Sequence, residues 1–266
     1  GQIKPEAVAS VLTPQTRLVS IGWANGEIGV VQPLSTIAKV IREHEARHGT
    51  KVIFHSDAGQ APLYQKSVIH SLGVDLMTFD SGKLYGPRGI GALFILNGVE
   101  LRPTMFGGKQ ERGIRPGTEN VALAAGFATA FKAVASERET EIERLSQLQK
   151  SFIMQLTGKV FAVVNGEGAK HTLPHIVNVS IPDIDAEYVA LALDHRGVAV
   201  STKTSCEERE RESSVVKALG GEPWRSGSTL RFSMGHDTTE RDINRAVTTL
   251  ADVIAMIRTH QNTQKL

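Results

Sequence analysis

The sequence predicts an α/β protein with a mostly parallel sheet in the remainder of a large N-terminal domain, residues 1–130, and a small α+β C-terminal domain, residues 131–266. Three observations predict it. Apolar strand-like runs alternate with helical patterns through the first half, as in strand–helix–strand units. Asn25, Asp57 and Lys83 each follow the end of an apolar run, and the carboxyl edge of an open α/β sheet is where ligands bind. From Phe131 onward the pattern changes to long amphipathic helices with isolated strands between them.

The elements follow in order. Thr16–Ile21 is a β-branched run that reads as a strand and breaks at the turn-rich GWANGEIG. Pro33 stands where a first helical residue would, and Ile37, Val40, Ile41 and His44 carry a helical stripe to Gly49. Lys51–His55 reads as a buried strand, followed by SDAGQAP and a short helical piece. Val74–Phe79 and Ile90–Leu96 read as buried strands around DSGKLYGPRG. Val121–Ala135, rich in Ala and Gly, reads as a buried helix. The stretch from Phe131 to Gly158 reads as an amphipathic one, with Ile142, Leu145, Leu148, Phe152 and Leu156 on one face. Strands are expected near Ile176–Ile181, Val198–Ser201 and Thr229–Met234, with a helix through DAEYVALALDHRG. The last helix begins at HDTTERDI, where Asp237 and Glu240 have capping-box spacing, and the tail HQNTQKL reads as disordered.

Bulk properties narrow the function. A formal charge of +2 on 266 residues points to neither nucleic acid nor an anionic membrane as partner, and the longest low-polarity run is too short to span a bilayer. The single cysteine, Cys206, excludes an intrachain disulfide and argues against a cysteine-based zinc site, a pattern that suits a cytoplasmic protein. The N-terminus GQIKPEAVAS has neither an apolar signal region nor an initiator Met, so a fragment or processed product is expected.

A lysine amine, a carboxylate and hydrogen-bonding amides at a sheet edge are what pyridoxal phosphate needs. Lys83 would form a Schiff base with the aldehyde, Asp57 would pair with the pyridine nitrogen, and Asn25 and Gln60 would hold the phenolic oxygen. Each residue alone has a plainer reading. Lys83 in a turn is normally solvated, Asp57 could cap a helix, and Asn25 in NG is a common turn residue.

Five blocks, VSIGWANGEIGV, HSDAGQA, GVDLMTFDSGKLYGPRGIGAL, GGKQERGIRPGTEN and LRFSMGHDTTERDI, together resemble the cysteine desulfurases. These are fold-type I, pyridoxal phosphate-dependent transferase-like enzymes of the class V aminotransferase group. The resemblance implies that Lys83 is the Schiff-base lysine, Asp57 the pyridinium partner, and Gln60 and Asn25 cofactor contacts, with Asn25 also touching substrate. It implies that Arg231 holds the substrate α-carboxylate and that Thr118 reaches the phosphate of a neighbouring subunit's cofactor, hence a homodimer with shared active sites. Cys206 falls on the nucleophile that takes sulfur from L-cysteine, leaving L-alanine and a persulfide for a sulfur acceptor or iron–sulfur scaffold protein.

The chain departs from the family pattern at several places. Gly82 stands where a histidine usually precedes the lysine, and Asp80 where a phosphate-binding serine is usual, with Ser81 as its nearest substitute. Lys109 and Lys203 replace glycines, and the family's N-terminal stretch, with its ring-stacking histidine, has no counterpart here. His55 reads as a satisfied core residue and His195 as a helix-end residue. Two alternatives stand beside the desulfurase expectation: a selenocysteine lyase, and a non-catalytic relative acting as a dimerising or sulfur-relay partner.

Overall fold

The computed structural model describes residues 1–66, 68–203 and 212–263. It divides into two compact units. The first comprises 1–2, 24–31 and 139–266, and the second 3–23 and 32–138. The boundary expected near residue 130 compares with a division at 138/139, and the segment 24–31 groups with the C-terminal part of the chain.

The second unit is built on a four-stranded sheet, β1 (Leu18–Ser20), β2 (Ile53–Asp57), β3 (Leu76–Asp80) and β4 (Gly91–Ile95), in that spatial order. The first three strands are parallel and β4 runs antiparallel to β3. Helix α1 (Pro5–Val11), which carried no signal in the sequence reading, packs on α2 (Leu34–His48). Pro33 is the residue before α2 rather than its first helical residue, and Gly49 ends the helix in the left-handed conformation, as the sequence pattern predicts. Leu34, Ile37 and Ile41 of α2 are buried. Buried Asp75 couples helix to sheet, accepting from Arg42 Nη2 and from the Phe54 amide, both at 2.7 Å. After a 3₁₀ turn at Ala61–Leu63 comes the short α3 (Ile69–Leu72). Strands β2 and β3 start two residues later than the apolar runs and end one or two residues later, so Asp57 is the last residue of β2 rather than a residue just beyond it.

Two expectations about burial change. In β4, Gly91, Ala92 and Leu93 are exposed, because it is the edge strand of this sheet. The Ala-rich run and the amphipathic pattern form one continuous helix, α4 (Val121–Lys159), and its first half is not buried. Phe127 is the one apolar residue buried there: one side packs, with Phe131 meeting Phe79 edge-on at 6.0 Å, while Val121 on another is 75% exposed.

The first unit has an antiparallel sheet in the order β5 (Val163–Val164), β6 (Ile176–Ser180), β7 (Thr229–Ser233). Helices α5 (Ala186–Asp194), α6 (Ser214–Ala218), α7 (Trp224–Gly227) and α8 (Glu240–Thr263) complete it with the latter part of α4. Leu145, Phe152 and Leu156 of α4 are buried, and Phe152 meets Phe232 of β7 at 4.8 Å between ring centroids. Val198–Ser201 contributes only an isolated bridge, Ser201 to Arg231, rather than a strand. The cap of α8 is Thr239 with Asp242, not Asp237 with Glu240. The Asp242 carboxylate accepts from the Thr239 amide at 2.9 Å and the Thr239 hydroxyl at 2.6 Å. The box spacing recurs two residues on, and there it coincides with the first helical turn. The tail expected to be disordered is helical to Thr263.

Candidate active site

The parallel strands deliver two of the predicted groups to one sheet edge. In the register of β2 and β3, Asp57 lies opposite Thr78, so both chains leave the sheet on the same side. Asp57 is exposed, and its Oδ1 accepts from the Gly59 amide at 2.7 Å, which orients the carboxylate. Lys83 ends the 3₁₀ turn Ser81–Lys83 that follows β3. It is exposed, and among the described residues its ammonium makes no hydrogen bond or ion pair. Gln60 is half-buried immediately before the 3₁₀ turn Ala61–Leu63, and Thr118 is exposed on the approach to α4.

The replaced residues around Lys83 explain each other. Asp80 caps the turn, accepting from the Gly82 amide at 2.9 Å. Ser81 is fully buried, and its hydroxyl has no partner among the described residues. A β-carbon on Gly86 would run into that hydroxyl and lie 3.1 Å from the Ser81 carbonyl oxygen and 3.2 Å from Ala130 Cβ. The structure therefore places Ser81 inside the turn, not on the exposed side with Lys83. The amine and carboxylate fit the aldehyde and ring-nitrogen ends of pyridoxal phosphate. The turn offers its phosphate no open hydroxyl in this conformation.

His55 is a structural residue, as its strand position suggests. It is half-buried on β2, with Nδ1 at 2.8 Å from Ser20 Oγ and Nε2 at 3.4 Å from Thr78 Oγ1.

The other unit holds Asn25 and Arg231, and sequence separation hides how close their segments come. Asn25 Oδ1 accepts from the amides of Glu27 and Ile28, at 2.8 and 2.9 Å. With its oxygen held by this turn, the side chain keeps its NH₂ as its remaining polar group, a donor of the polarity an anionic oxygen needs. Gly29 closes the turn at φ 73°, where a β-carbon would press on Ile176 at 3.3 Å. Arg231, on β7, donates from Nη1 to the Gly26 carbonyl at 3.0 Å and from Nη2 to Ser201 Oγ at 3.1 Å. Its Nε is buried and has no acceptor among the described residues. Burial lowers the Arg231 pKa, and the charge of buried Glu27 opposes that shift.

Sequence reasoning missed Glu27 and Ser213. The Ser213 hydroxyl caps α6, accepting from the Val216 amide at 3.0 Å, and donates to Glu27 Oε1. The only available signal was Glu27 itself, an acid inside the turn-rich GWANGEIG. Burial pushes the pKa of nearby His175 down to about 4, helped by the Arg231 charge. Cys206 lies outside the described residues. A cavity of about 480 Å³ lies beside the ends of that segment, lined by Lys203, Glu212 and Ser213 and by Asp185 and Glu187 at the start of α5. Lys203, at a usual family glycine, pairs with Glu187 at 3.3 Å.

Known proteins resemble this chain over almost its whole length. The model of the aminotransferase class-V family matches residues 1–246. A cysteine desulfurase IscS of Dictyoglomus turgidum is 34% identical over 260 residues, covering 97% of this chain and 64% of the relative. The mitochondrial cysteine desulfurase of Saccharomyces cerevisiae is 32% identical over 261 residues, covering 97% of this chain and 51% of the relative. Among solved structures, a NifS-like protein from Rickettsia africae superposes with a TM-score of 0.84 at 27% identity, covering 96% of this chain and 67% of that one. Another NifS-like protein reaches 0.86 at 26% identity, covering 96% and 66%. The chain thus spans between about half and two thirds of the length of these relatives. With a family match over nearly its whole length and a mostly parallel sheet that carries the lysine and aspartate at one edge, the chain belongs to the pyridoxal phosphate-dependent class-V aminotransferase family.

Proposed function

We propose that this chain carries the lysine, aspartate, arginine and cysteine of a cysteine desulfurase, which converts L-cysteine to L-alanine and leaves sulfur as a persulfide on Cys206. The observation that carries the proposal is that exposed Asp57 at the end of β2 and exposed Lys83 in the turn after the adjacent parallel β3 lie at one sheet edge. The names of the relatives, at 34% and 32% identity, support sulfur rather than selenium as the transferred atom.

Bound pyridoxal phosphate would supply an electron sink for the substrate α-carbon. Lys83 would hold it and, once displaced by substrate, provide a free amine that moves a proton at the α-carbon. The exposed Asp57 carboxylate would keep the ring nitrogen protonated, while Gln60 and the Asn25 NH₂ would bind the phenolic oxygen. Arg231 would orient the substrate carboxylate, a group its planar fork matches. The Cys206 thiolate would take up the substrate sulfur and pass it to an acceptor or iron–sulfur scaffold protein. With Ser81 enclosed, the phosphate end would rely on the turn backbone and on Thr118 of a second copy in a cytoplasmic homodimer. The exposed Met105, Phe106 and Val121, at 53%, 87% and 75% accessibility, suit a face covered by that copy.

The test begins with adding pyridoxal phosphate and recording the visible band of the lysine-bound cofactor. The band should appear with the parent chain and be absent in Lys83→Ala. Sulfide release from L-cysteine with a reductant should then be lost in Cys206→Ala while the band persists. A parent chain without the band would refute the enzyme reading and favour the non-catalytic relative.

A further inference from the structure

Arg231 carries more donors than the chain satisfies. A guanidinium has five N–H groups, and the side chain spends one on the Gly26 carbonyl and one on the Ser201 hydroxyl, leaving Nε buried without an acceptor. A buried charged donor without a partner is costly, so the arrangement calls for an added acceptor. A carboxylate supplies two oxygens in the plane that an arginine fork presents.

Which way that fork faces depends on Ser201. Ser201 and Arg231 face each other across a bridge in which each amide donates to the other's carbonyl, at 3.1 and 2.6 Å. These backbone bonds need no particular side chain at Ser201, and the residue is only half-buried, so packing does not demand a hydroxyl there. Yet its hydroxyl accepts from Arg231 Nη2, while Gly26 holds Nη1 from another segment. One anchor leaves a planar group free to turn about that contact; two fix its plane. Glu27, buried on the same turn as Gly26, supplies compensating charge but no second direction.

We propose that Ser201 is a positioning residue for Arg231, fixing the guanidinium plane so that its remaining N–H groups meet the α-carboxylate of an amino acid substrate. This rests on the reading of Arg231 as the carboxylate-binding arginine. It makes the last bridge residue before the Cys206 segment part of substrate selection.

Two measurements test it, the first needing no cofactor. In the chain labelled with ¹⁵N-arginine, the Arg231 guanidinium signal, assigned by its loss in Arg231→Lys, should show slow rotation of the terminal nitrogens. Ser201→Ala should speed that rotation, and Ser201→Thr, which keeps the hydroxyl, should restore it. In the cofactor-loaded chain, spectral titration with L-alanine and its methyl ester should show a preference for the acid. Ser201→Ala should weaken acid binding by about tenfold, the loss of one hydrogen bond to a charged group, and leave ester binding unchanged. Ser201→Thr should retain the parent preference. If Ser201→Ala changes neither rotation nor the acid-to-ester ratio, the proposal is overturned while the parent's preference keeps the reading of Arg231. A parent that binds no cofactor, or binds acid and ester alike, overturns the reading of the site and the proposal with it.

Discussion

His175 stands next to β6, buried near the charge of Arg231, and both burial and that charge disfavour its protonated form. Its folded pKa of about 4 lies below the ordinary 6.5, so the unfolded chain binds this proton more tightly. The contribution to stability is complete above pH 6.5, falls as pH drops toward 4, and amounts to about 3 kcal/mol across that window. Urea unfolding at a series of pH values should show this fall in the parent, and His175→Gln should flatten it between those limits. At the same scale, Lys83, Asp57 and Asn25 stood out as candidates in the sequence because each follows the end of an apolar run, and Arg231 through the resemblance of its LRFS block. Glu27 and Ser213 were not, since their pairing joins residues far apart in the chain.

Secondary-structure elements show where local chemistry suffices and where neighbours intervene. Helix α2 starts after Pro33 and ends at Gly49 as its sequence pattern demands. The cap of α8 was misplaced by two residues, because two overlapping pairs share the same spacing and only the helix start selects between them. Thr239→Ala should therefore cost about 1 kcal/mol in chemical unfolding, whereas Asp237→Ala should change stability by less than about 0.5 kcal/mol. The turn bearing Lys83 is tighter than its glycine content suggests. Gly86 packs against Ser81 and Ala130, so Gly86→Ala should destabilise by about 1–3 kcal/mol and weaken the cofactor band with Lys83 still present. Unfolding midpoints and visible absorption together would show whether this turn is a rigid seat for the lysine.

For the molecule as a whole, composition and alternating periodicity announced an α/β sheet followed by a second region, and both are present. Among the described residues no helix is long and apolar enough to cross a membrane. The apolar side of α4 near Val121 stands exposed together with Met105 and Phe106 on the preceding loop, although its sequence reads as buried. Periodicity reports which residues prefer to leave water, but not whether this chain or a second copy covers them. If a second copy does, light scattering should give twice the chain mass, and Phe106→Asp should shift the population toward the single chain without lowering the unfolding midpoint of the monomer.

By itself the sequence determined the family and most of the order of strands and helices, because these rest on residue type and local spacing, and it singled out Lys83, Asp57, Asn25, Arg231 and Cys206 as candidates. Only the tertiary structure decided that Asp80 caps Gly82, that Ser81 is enclosed beneath Gly86, and that Arg231 reaches back to Gly26 and Ser201. The physical reason is the same in each case. A hydrogen bond or a steric contact depends on where two side chains meet in space, and a linear pattern carries that only when they meet within a turn or two of each other.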